Sequence, residues 1–360
     1  GMHLAKLRLR DFRNYRRLDM MFDPGFHLLL GNNAQGKTNI LESIYLLATL
    51  RSFRGVGAAQ MIRHEQAGFF VGAEIVGVQS DVIKYYWSLR DRRLTLNQDP
   101  VKRLSDFFGT LRSVVFCTED LQLVKGAPRI RRRFMDLLLS QTQPAYLGNL
   151  QQYAKVLRSR NAILKQHRPD QDVLDSFTRE LVHYGQALIE ARKQFVPRLS
   201  PLARLSYRRI SEDAEEFMMV YHPTVQGDFR EELDRVKVRE RQYRSTLVGP
   251  HRDDLKLLLN NQSAAQFGSE GQKRSLAISL KVAQAEYLTG LFGHPPVLLI
   301  DDVMGELDLA RRGGLMPLLE RSHHASGQVF MTCTEENWPK ELGRRLIRWK
   351  VDQGSIQHAD

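Results

Sequence analysis

Cysteine is scarce: Cys117 and Cys333 are the two in 360 residues, far apart and without metal-ligand spacing. That excludes a disulfide-stapled scaffold and a zinc ribbon, and both are expected to be reduced, buried small apolar residues of a cytoplasmic protein. No run of about 18 apolar residues occurs, so no membrane-spanning helix and no membrane partner are expected. The start, Met2-His3-Leu4-Ala5-Lys6, continues basic and alternating and does not read as a secretory signal. Internal repeats, low-complexity tracts and sustained heptads are also missing, which excludes solenoids and long coiled-coil arms. Acidic residues are outnumbered, 41 against 53 Lys and Arg, for a formal net charge of +12. Such a surplus favours polyanionic partners, nucleic acid first.

What is present suggests a soluble chain with two lobes: 42% hydrophobic and 26% charged residues are ordinary for globular proteins. Leu4, Leu7, Leu9 and Phe12, then Phe22, Phe26, Leu28 and Leu30, predict two strand-like segments, joined around Arg13-Asn14-Tyr15 and turned by Asp23-Pro24-Gly25. Residues 69–120 read as mostly β. From about 128 long helical spacing takes over, with Pro128, Pro197 and Pro201 expected to punctuate it, and β-character returns near 246–260. The apolar run Val297–Ile300 predicts a buried parallel strand.

Gly31-Asn32-Asn33-Ala34-Gln35-Gly36-Lys37-Thr38 follows an apolar strand and opens a helix, matching the P-loop pattern. Its glycines let backbone N–H groups face phosphates; Lys37 would reach the β- and γ-phosphates, and the Thr38 hydroxyl would ligate magnesium. ATP and Mg²⁺ are therefore the expected cofactors. At the end of the 297–300 strand, Asp301 is assigned to the metal and Asp302 to the attacking water. Upstream, Phe267-Gly268-Ser269-Glu270-Gly271-Gln272-Lys273-Arg274 resembles the signature loop of ABC ATPases. There Ser269, Gly271 and Gln272 would meet the nucleotide of a second copy, with Ser269 acting in trans. Gly305-Glu306-Leu307-Asp308 fits the D-loop that touches that copy.

Lys37 and Asp301 lie 264 positions apart, room for a large insert. The expected organisation is an ATPase domain from 1–125 plus 245–360, with a β-rich part near 69–120, and a helical insert lobe at 126–244. Residues 129–168 of that lobe carry nine cations and a single acid, Asp136. Arg129, Arg131, Arg132, Arg133, Lys155, Arg158 and Arg160 are the DNA-binding candidates among them. The N-terminal strands add Lys6, Arg8, Arg10, Arg13, Arg16 and Arg17, part of which must serve nucleotide or packing.

Taken in order, these blocks resemble the RecF family, bacterial recombination-mediator ATPases. The resemblance runs through Asp11–Tyr15, the P-loop to Asn39, Arg51–Arg54, Glu119–Leu121, Leu123–Gly126, Arg131–Phe134, Gly249–Asp254, the signature loop and Leu307-Asp308. It implies an α/β, ABC/SMC-like P-loop ATPase head with an inserted helical lobe and no long arms. It further implies ATP-dependent dimers on DNA, released by hydrolysis. Work with RecR and RecO to direct RecA loading at single-strand gaps is also implied, as is a place in replication repair and the SOS response. Arg13 and Asn14 match positions near the nucleotide in related heads, and Arg51 or Arg54 would approach the γ-phosphate.

Departures from the wider ABC pattern point to slow turnover. Asp302 stands where glutamate is usual, Glu119 and Asp120 stand where a glutamine was sought, and Met331-Thr332-Cys333-Thr334 replaces the switch histidine. Rival readings are a transporter-energising subunit, which has no use for a basic insert, and a clamp that binds ATP without hydrolysing it. His251 in Gly249-Pro250-His251-Arg252 is expected to hold structure in place of sensing DNA.

Overall fold

The N-terminal alternation resolves into three strands divided between two sheets. In the computed structural model, which describes residues 2–32, 34–211, 215–301, 308–333 and 346–359, β1 (His3–Phe12) and β2 (Tyr15–Met21) form an antiparallel hairpin. β3 (Gly25–Leu30) then joins a different sheet. Leu4 and Leu7 both face inward despite a three-residue spacing, because the register of β1 against β4 (Gly68–Val76) shifts between Leu4 and Lys6. Such a bulge re-aims every later side chain, keeping one face buried.

The chain divides into two compact units, residues 1–121, 205–213 and 274–360 in the first, 122–204 and 214–273 in the second. The first unit holds both large sheets. One is antiparallel, in the order β2-β1-β4-β5-β6-β7, with β5 (Ser80–Ser88), β6 (Arg92–Leu96) and β7 (Asp99–Pro100). The other has the order β15-β14-β3-β13-β12-β8. In it β8 (Ser113–Phe116), β12 (Val297–Ile300), β13 (Gln328–Cys333) and β14 (Leu346–Asp352) run parallel with β3, while β15 (Ser355–Ala359) runs antiparallel.

Helix α1 (Ala34–Thr49) packs on strands of both sheets. Its Ile40, Leu41, Ile44 and Leu47 are fully buried in a core shared with Leu7, Leu9, Phe12 and Phe69. All four residues of β12 are buried, as a parallel strand covered on both faces requires. A short α2 (Leu104–Phe107) precedes β8, and α11 (Leu309–His324) precedes β13.

The second unit carries α3 (Gln122–Lys125), α4 (Pro128–Thr142), α5 (Pro144–Leu164) and most of α6 (Gln171–Ser211). Short helices α7 (Phe229–Arg235), α8 (Lys237–Tyr243) and α9 (Ala264–Phe267) belong to it too. Its small sheet has the order β11-β10-β9, built from β9 (Phe217–His222), β10 (Asp254–Leu259) and β11 (Gln262–Ser263). Helix α10 (Glu270–Phe292) begins in this unit and continues in the first.

Three further sequence expectations differ from this arrangement. Residues 245–273, grouped with the ATPase domain, cluster with the helices, because β10 pairs with β9 from Asp254↔His222 to Leu259↔Phe217. That strand β9 lies inside the stretch read as helical. Pro197 and Pro201 do not interrupt α6, which runs 41 residues through both. Each proline removes one backbone hydrogen bond, but burial of Leu181, Leu188, Phe195, Leu199, Ala203 and Tyr207 along one side offsets the loss.

Candidate nucleotide site and nucleic-acid interface

At the C-terminal end of β3 the chain enters the P-loop, and Gly31 is required there. A Cβ on it would stand 2.2 Å from the carbonyl oxygen of Val351 on β14. Asn32 and Gln35 are exposed, while the structure of Asn33 and the side chain of Ala34 lie outside the described residues. The carbonyl of Gly36 accepts from Tyr15 Oη at 2.7 Å. Lys37 is fully buried, and its Nζ donates to the carbonyl oxygen of Cys333 at 2.6 Å.

The acidic strand β12 is not the immediate neighbour of β3, since β13 runs between them. Residues at the ends of β12 and β13 nevertheless converge with the first turns of α1, which follows β3. Thr38 Oγ1 and Thr332 Oγ1 each lie 3.4 Å from Asp301 Oδ1, and Asp301 N–H extends the sheet by donating to Phe116 O at 2.9 Å. Asp302 and the Gly305–Leu307 part of the D-loop lie outside the described residues; Asp308 caps α11 by accepting from Arg311 N–H at 2.9 Å.

Beside the P-loop, Glu42 of α1 is fully buried and gathers cations around it. Arg13 grips it with two hydrogen bonds, 2.7 and 2.9 Å, Ser52 Oγ donates at 2.5 Å, and Arg54 Nε lies 3.8 Å away. Arg13 occupies the first loop position of the β1–β2 hairpin with φ +52°, a left-handed conformation costly for a residue with a Cβ and typical of functional sites. Asn39 links the two sides, donating to Asn14 Oδ1 at 2.9 Å and accepting from Arg54 at 2.7 Å. Burial draws the Arg54 guanidinium below its ordinary value, while Glu42 and Asp301 act in the opposite direction. Of the two arginines considered, Arg51 is exposed and Arg54 is half-buried, with Asp301 among the charges that act on it.

Where a glutamine was sought after β8, Glu119 is exposed and Asp120 turns inward. Asp120 accepts from Cys117 N–H at 2.9 Å and lies 3.9 Å from Lys281 Nζ. Burial pushes its carboxyl up to about 6.

The signature loop opens α10 with a capping box. Ser269 Oγ accepts from Gln272 N–H at 3.1 Å, and Gln272 Oε1 accepts from Ser269 N–H at 2.8 Å. Ser269 is exposed, and its cap role uses one hydroxyl lone pair, leaving the O–H able to donate to an anion. Gly271 and Gln272 are half-buried, with Gln272 Nε2 bonded to Glu215. Gly268 is required because a Cβ there would meet Ala264 O at 2.7 Å. Glu270 is held by Lys125 at 2.7 Å, a contact between two blocks far apart in the sequence.

The basic insert residues divide. Arg129, Arg133, Lys155 and Arg158 are exposed. Arg160 is a correction: it is buried, binding Glu240 at 2.8 and 3.2 Å, Thr178 at 3.0 Å and Thr246 at 2.9 Å. Arg131 is another, 11% exposed and committed to Asp254 and to the carbonyls of Leu123 and Gly126. Arg132 donates to Asp253 O at 2.9 Å. Charge counting along a helix does not separate exposed cations from those neutralising a distant carboxylate. His251 is structural: Nε2–H donates to Thr246 O at 2.9 Å, so Nδ1 accepts from Tyr153 Oη at 2.7 Å, and burial draws its pKa down to about 4.

The sequence alone gives no role to Glu42, which stands in no recognisable pattern, and none to Ser52 or Thr332, which stand only inside the blocks Arg51–Arg54 and Met331–Thr334. Arg13 stands in a block the sequence marks, whereas the carboxylate it meets, Glu42, does not.

Comparison with known proteins agrees with this geometry. The family model described as RecF/RecN/SMC N terminal domain matches residues 3–357. The DNA replication and repair protein RecF of Natranaerobius thermophilus is 37% identical over 98% of this chain and 97% of its own length. RecF of Bacillus cereus strain G9842 is 36% identical over 92% of each. A solved structure of the recombination mediator protein RecF-ATPrS in the RecFOR pathway superposes with a TM-score of 0.89 at 29% identity, covering 100% of this chain and 98% of that one. The Smc head domain of Pyrococcus furiosus, 14% identical with a TM-score of 0.56, covering 100% of this chain and 96% of its own, shares the fold. The chain thus has the ABC/SMC-like ATPase-head fold and belongs to the RecF family.

Proposed function

We propose that this chain is an ATP-dependent DNA-binding recombination mediator that dimerises on ATP and is released by slow hydrolysis. With RecR and RecO it would help direct RecA loading at single-strand gaps, in repair, replication restart and the SOS response. The observation that carries this reading is the convergence of Lys37 and Thr38, in the first turns of α1, with Thr332 and Asp301 at the ends of β13 and β12. A relative solved with ATP, 28% identical over 100% of this chain, supports the choice of nucleotide.

In this scheme the P-loop amides and Lys37 hold the phosphates, and Ser269 of a second copy donates to the γ-phosphate. One hydroxyl and one carboxylate, from Thr38 and Asp301, fit magnesium, which keeps several waters and binds few protein ligands. When bound, the ion neutralises charge on the β- and γ-oxygens. Asp302 would accept a proton from the attacking water. Its short side chain, the missing switch histidine and the inward-turned Asp120 favour a timer over a motor. We also assign the first compact unit to the ATPase domain and the second to the inserted lobe, where Arg129, Arg133, Lys155 and Arg158 would contact DNA phosphates.

Light scattering with and without ATP and magnesium tests the reading, with Lys37→Met and Ser269→Arg beside the wild type. A shift from monomer to dimer confined to wild type with ATP is expected. Wild type that stays monomeric even on duplex DNA contradicts the shared site. Asp302→Asn separates hydrolysis from passive clamping: dimers on ATP are expected to outlive those of wild type.

A further inference from the structure

The antiparallel sheet of the first unit has a second face that the nucleotide site does not use. Leu7, Leu9, Phe69, Val71, Ile83 and Trp87 point into the core, so the alternate residues point outward. Register places Arg10 opposite Phe70, Phe70 opposite Tyr86 and Tyr86 opposite Arg93, in one row across β1, β4, β5 and β6. The next row runs Arg8, Gly72, Lys84 and Thr95.

Two glycines make the centre of this face flat. A Cβ at Gly72 would meet Phe70 Cζ at 2.9 Å, and one at Gly68 would meet Tyr86 Oη at 2.8 Å. Phe70 is therefore laid along β4 over Gly72, and Tyr86 reaches diagonally from β5 over Gly68 of β4, so neither ring stands up from the sheet. Covering a glycine with a ring is a known way to support a strand, and that alone would account for the pair. It does not account for the border. Arg8 and Arg10 on one side, Lys84 and Arg93 on the other, flank the rings, and Lys6, Arg8 and Lys84 line a shallow hollow beside Phe70. With Lys6 and Arg17 the outward positions of these strands carry six cations against two carboxylates, Asp19 and Glu74. Asp19 is bound by Arg10 and Arg17 and lies 4.0 Å from Arg8, and Asp91, in the turn before β6, is bound by Arg93. The Arg93 guanidinium rests 5.2 Å from the Tyr86 ring centre while its side chain is 70% exposed, so it can swing to a phosphate and uncover the ring.

We infer that this face is a binding platform for single-stranded nucleic acid, bases stacking on Phe70 and Tyr86 and phosphates meeting the bordering cations. Stacking is sequence-tolerant, and a flat sheet with rings at its centre and cations at its rim matches that chemistry. Duplex DNA hides its base faces and would gain from the cations alone. The inference rests on the reading of the chain as a DNA-binding protein and adds the surface and its stacking contacts.

The test is fluorescence anisotropy with a labelled oligothymidylate of about 12 nucleotides and a duplex of equal length, on the full chain with and without ATP. The double variant Phe70→Leu/Tyr86→Leu keeps apolar cover over both glycines, and circular dichroism melting checks its fold. Its affinity for the oligothymidylate is expected to fall about tenfold or more, with duplex affinity and ATP binding unchanged. Arg8→Glu/Lys84→Glu is expected to weaken single-strand binding and flatten its salt dependence. Unchanged single-strand affinity in both variants overturns the platform. So does wild type that binds duplex but not oligothymidylate, an outcome that leaves the DNA-binding reading standing; wild type that binds neither removes both. Competition by polyglutamate as strong as by oligothymidylate also overturns it, in favour of a surface for acidic protein.

Discussion

Lys37 Nζ donates to the backbone carbonyl of Cys333 at 2.6 Å, with the lysine fully buried. The P-loop at the end of β3 is thereby tied to the end of β13, the strand beside it. If the loop holds ATP as proposed, this buried cation would exchange part of its contact with the carbonyl for phosphate oxygens at little reorganisation cost. Lys37→Met keeps the volume and removes the charge. ATP affinity, measured by calorimetric titration, is expected to fall at least tenfold, while the free energy of unfolding changes by less than about 2 kcal/mol. Unchanged ATP affinity would remove Lys37 from the site.

Glu42 organises the flank of that site. Glu42→Gln leaves Arg13 and Arg54 near each other with their shared countercharge gone, and the Ser52 contact weakened. Breaking a buried pair on one side costs about 3 kcal/mol. Denaturant unfolding should show a loss of that order together with weaker ATP binding; a silent variant would mean that a neutral amide acceptor holds the two guanidiniums as well as the carboxylate does.

Arg160 and Arg158 stand two positions apart and should behave oppositely. Arg160→Met strips the buried Glu240 of its partner and is expected to cost about 3 kcal/mol of stability. DNA affinity at temperatures where it remains folded should be unchanged. Arg158→Glu with Lys155→Glu should leave stability within about 0.5 kcal/mol and weaken duplex binding in a salt-dependent way. Equal effects of the two variants on DNA binding would refute the division.

Arg192 anchors the second unit. Fully buried, it reaches Asp136 at 2.9 Å, Asp253 at 3.2 Å and Pro250 O at 2.8 Å, with the hydroxyls of Tyr146 and Tyr221 closing on the same carboxylates. Arg192→Met is expected to destabilise by about 3–5 kcal/mol. A thermal melt unchanged by this substitution would show the network to be dispensable.

Stability should fall in mild acid. His27 is fully buried, its Nε2–H donating to Asp23 O at 2.6 Å and its Nδ1 accepting from Trp349 Nε1–H at 3.0 Å. Burial draws both His27 and His251 to about 4, from 6.5. Between those values the unfolded chain binds more protons, so stability present above pH 6.5 is lost as the pH falls toward 4. Asp120 opposes this: raised from 3.8 to about 6, its contribution is full below 3.8 and lost as pH rises through 6. Two histidines outweigh one carboxyl, and urea unfolding at pH 7 and pH 4.5 should differ by about 2–5 kcal/mol. A flat profile would contradict the buried neutral histidines.

The candidate nucleotide site was legible in the linear chain because its pattern is made of contiguous residues. Gly31, Gly36, Lys37 and Thr38 must be neighbours for one loop to wrap phosphates, and Ser269 with Gln272 forms a cap within a single turn. The four apolar residues of β12 announced a strand buried on both faces for the same local reason. Long-range pairing was not legible. That β13 separates β3 from β12, that β9 pairs with β10, and that Arg131 and Arg160 serve Asp254 and Glu240 are outcomes of packing between segments far apart in sequence. A charge on a helix reads the same whether it meets water or a carboxylate eighty residues away, and only burial distinguishes them. The prolines of α6 make the same point: local propensity opposed a continuous helix, and the apolar side it buries prevailed.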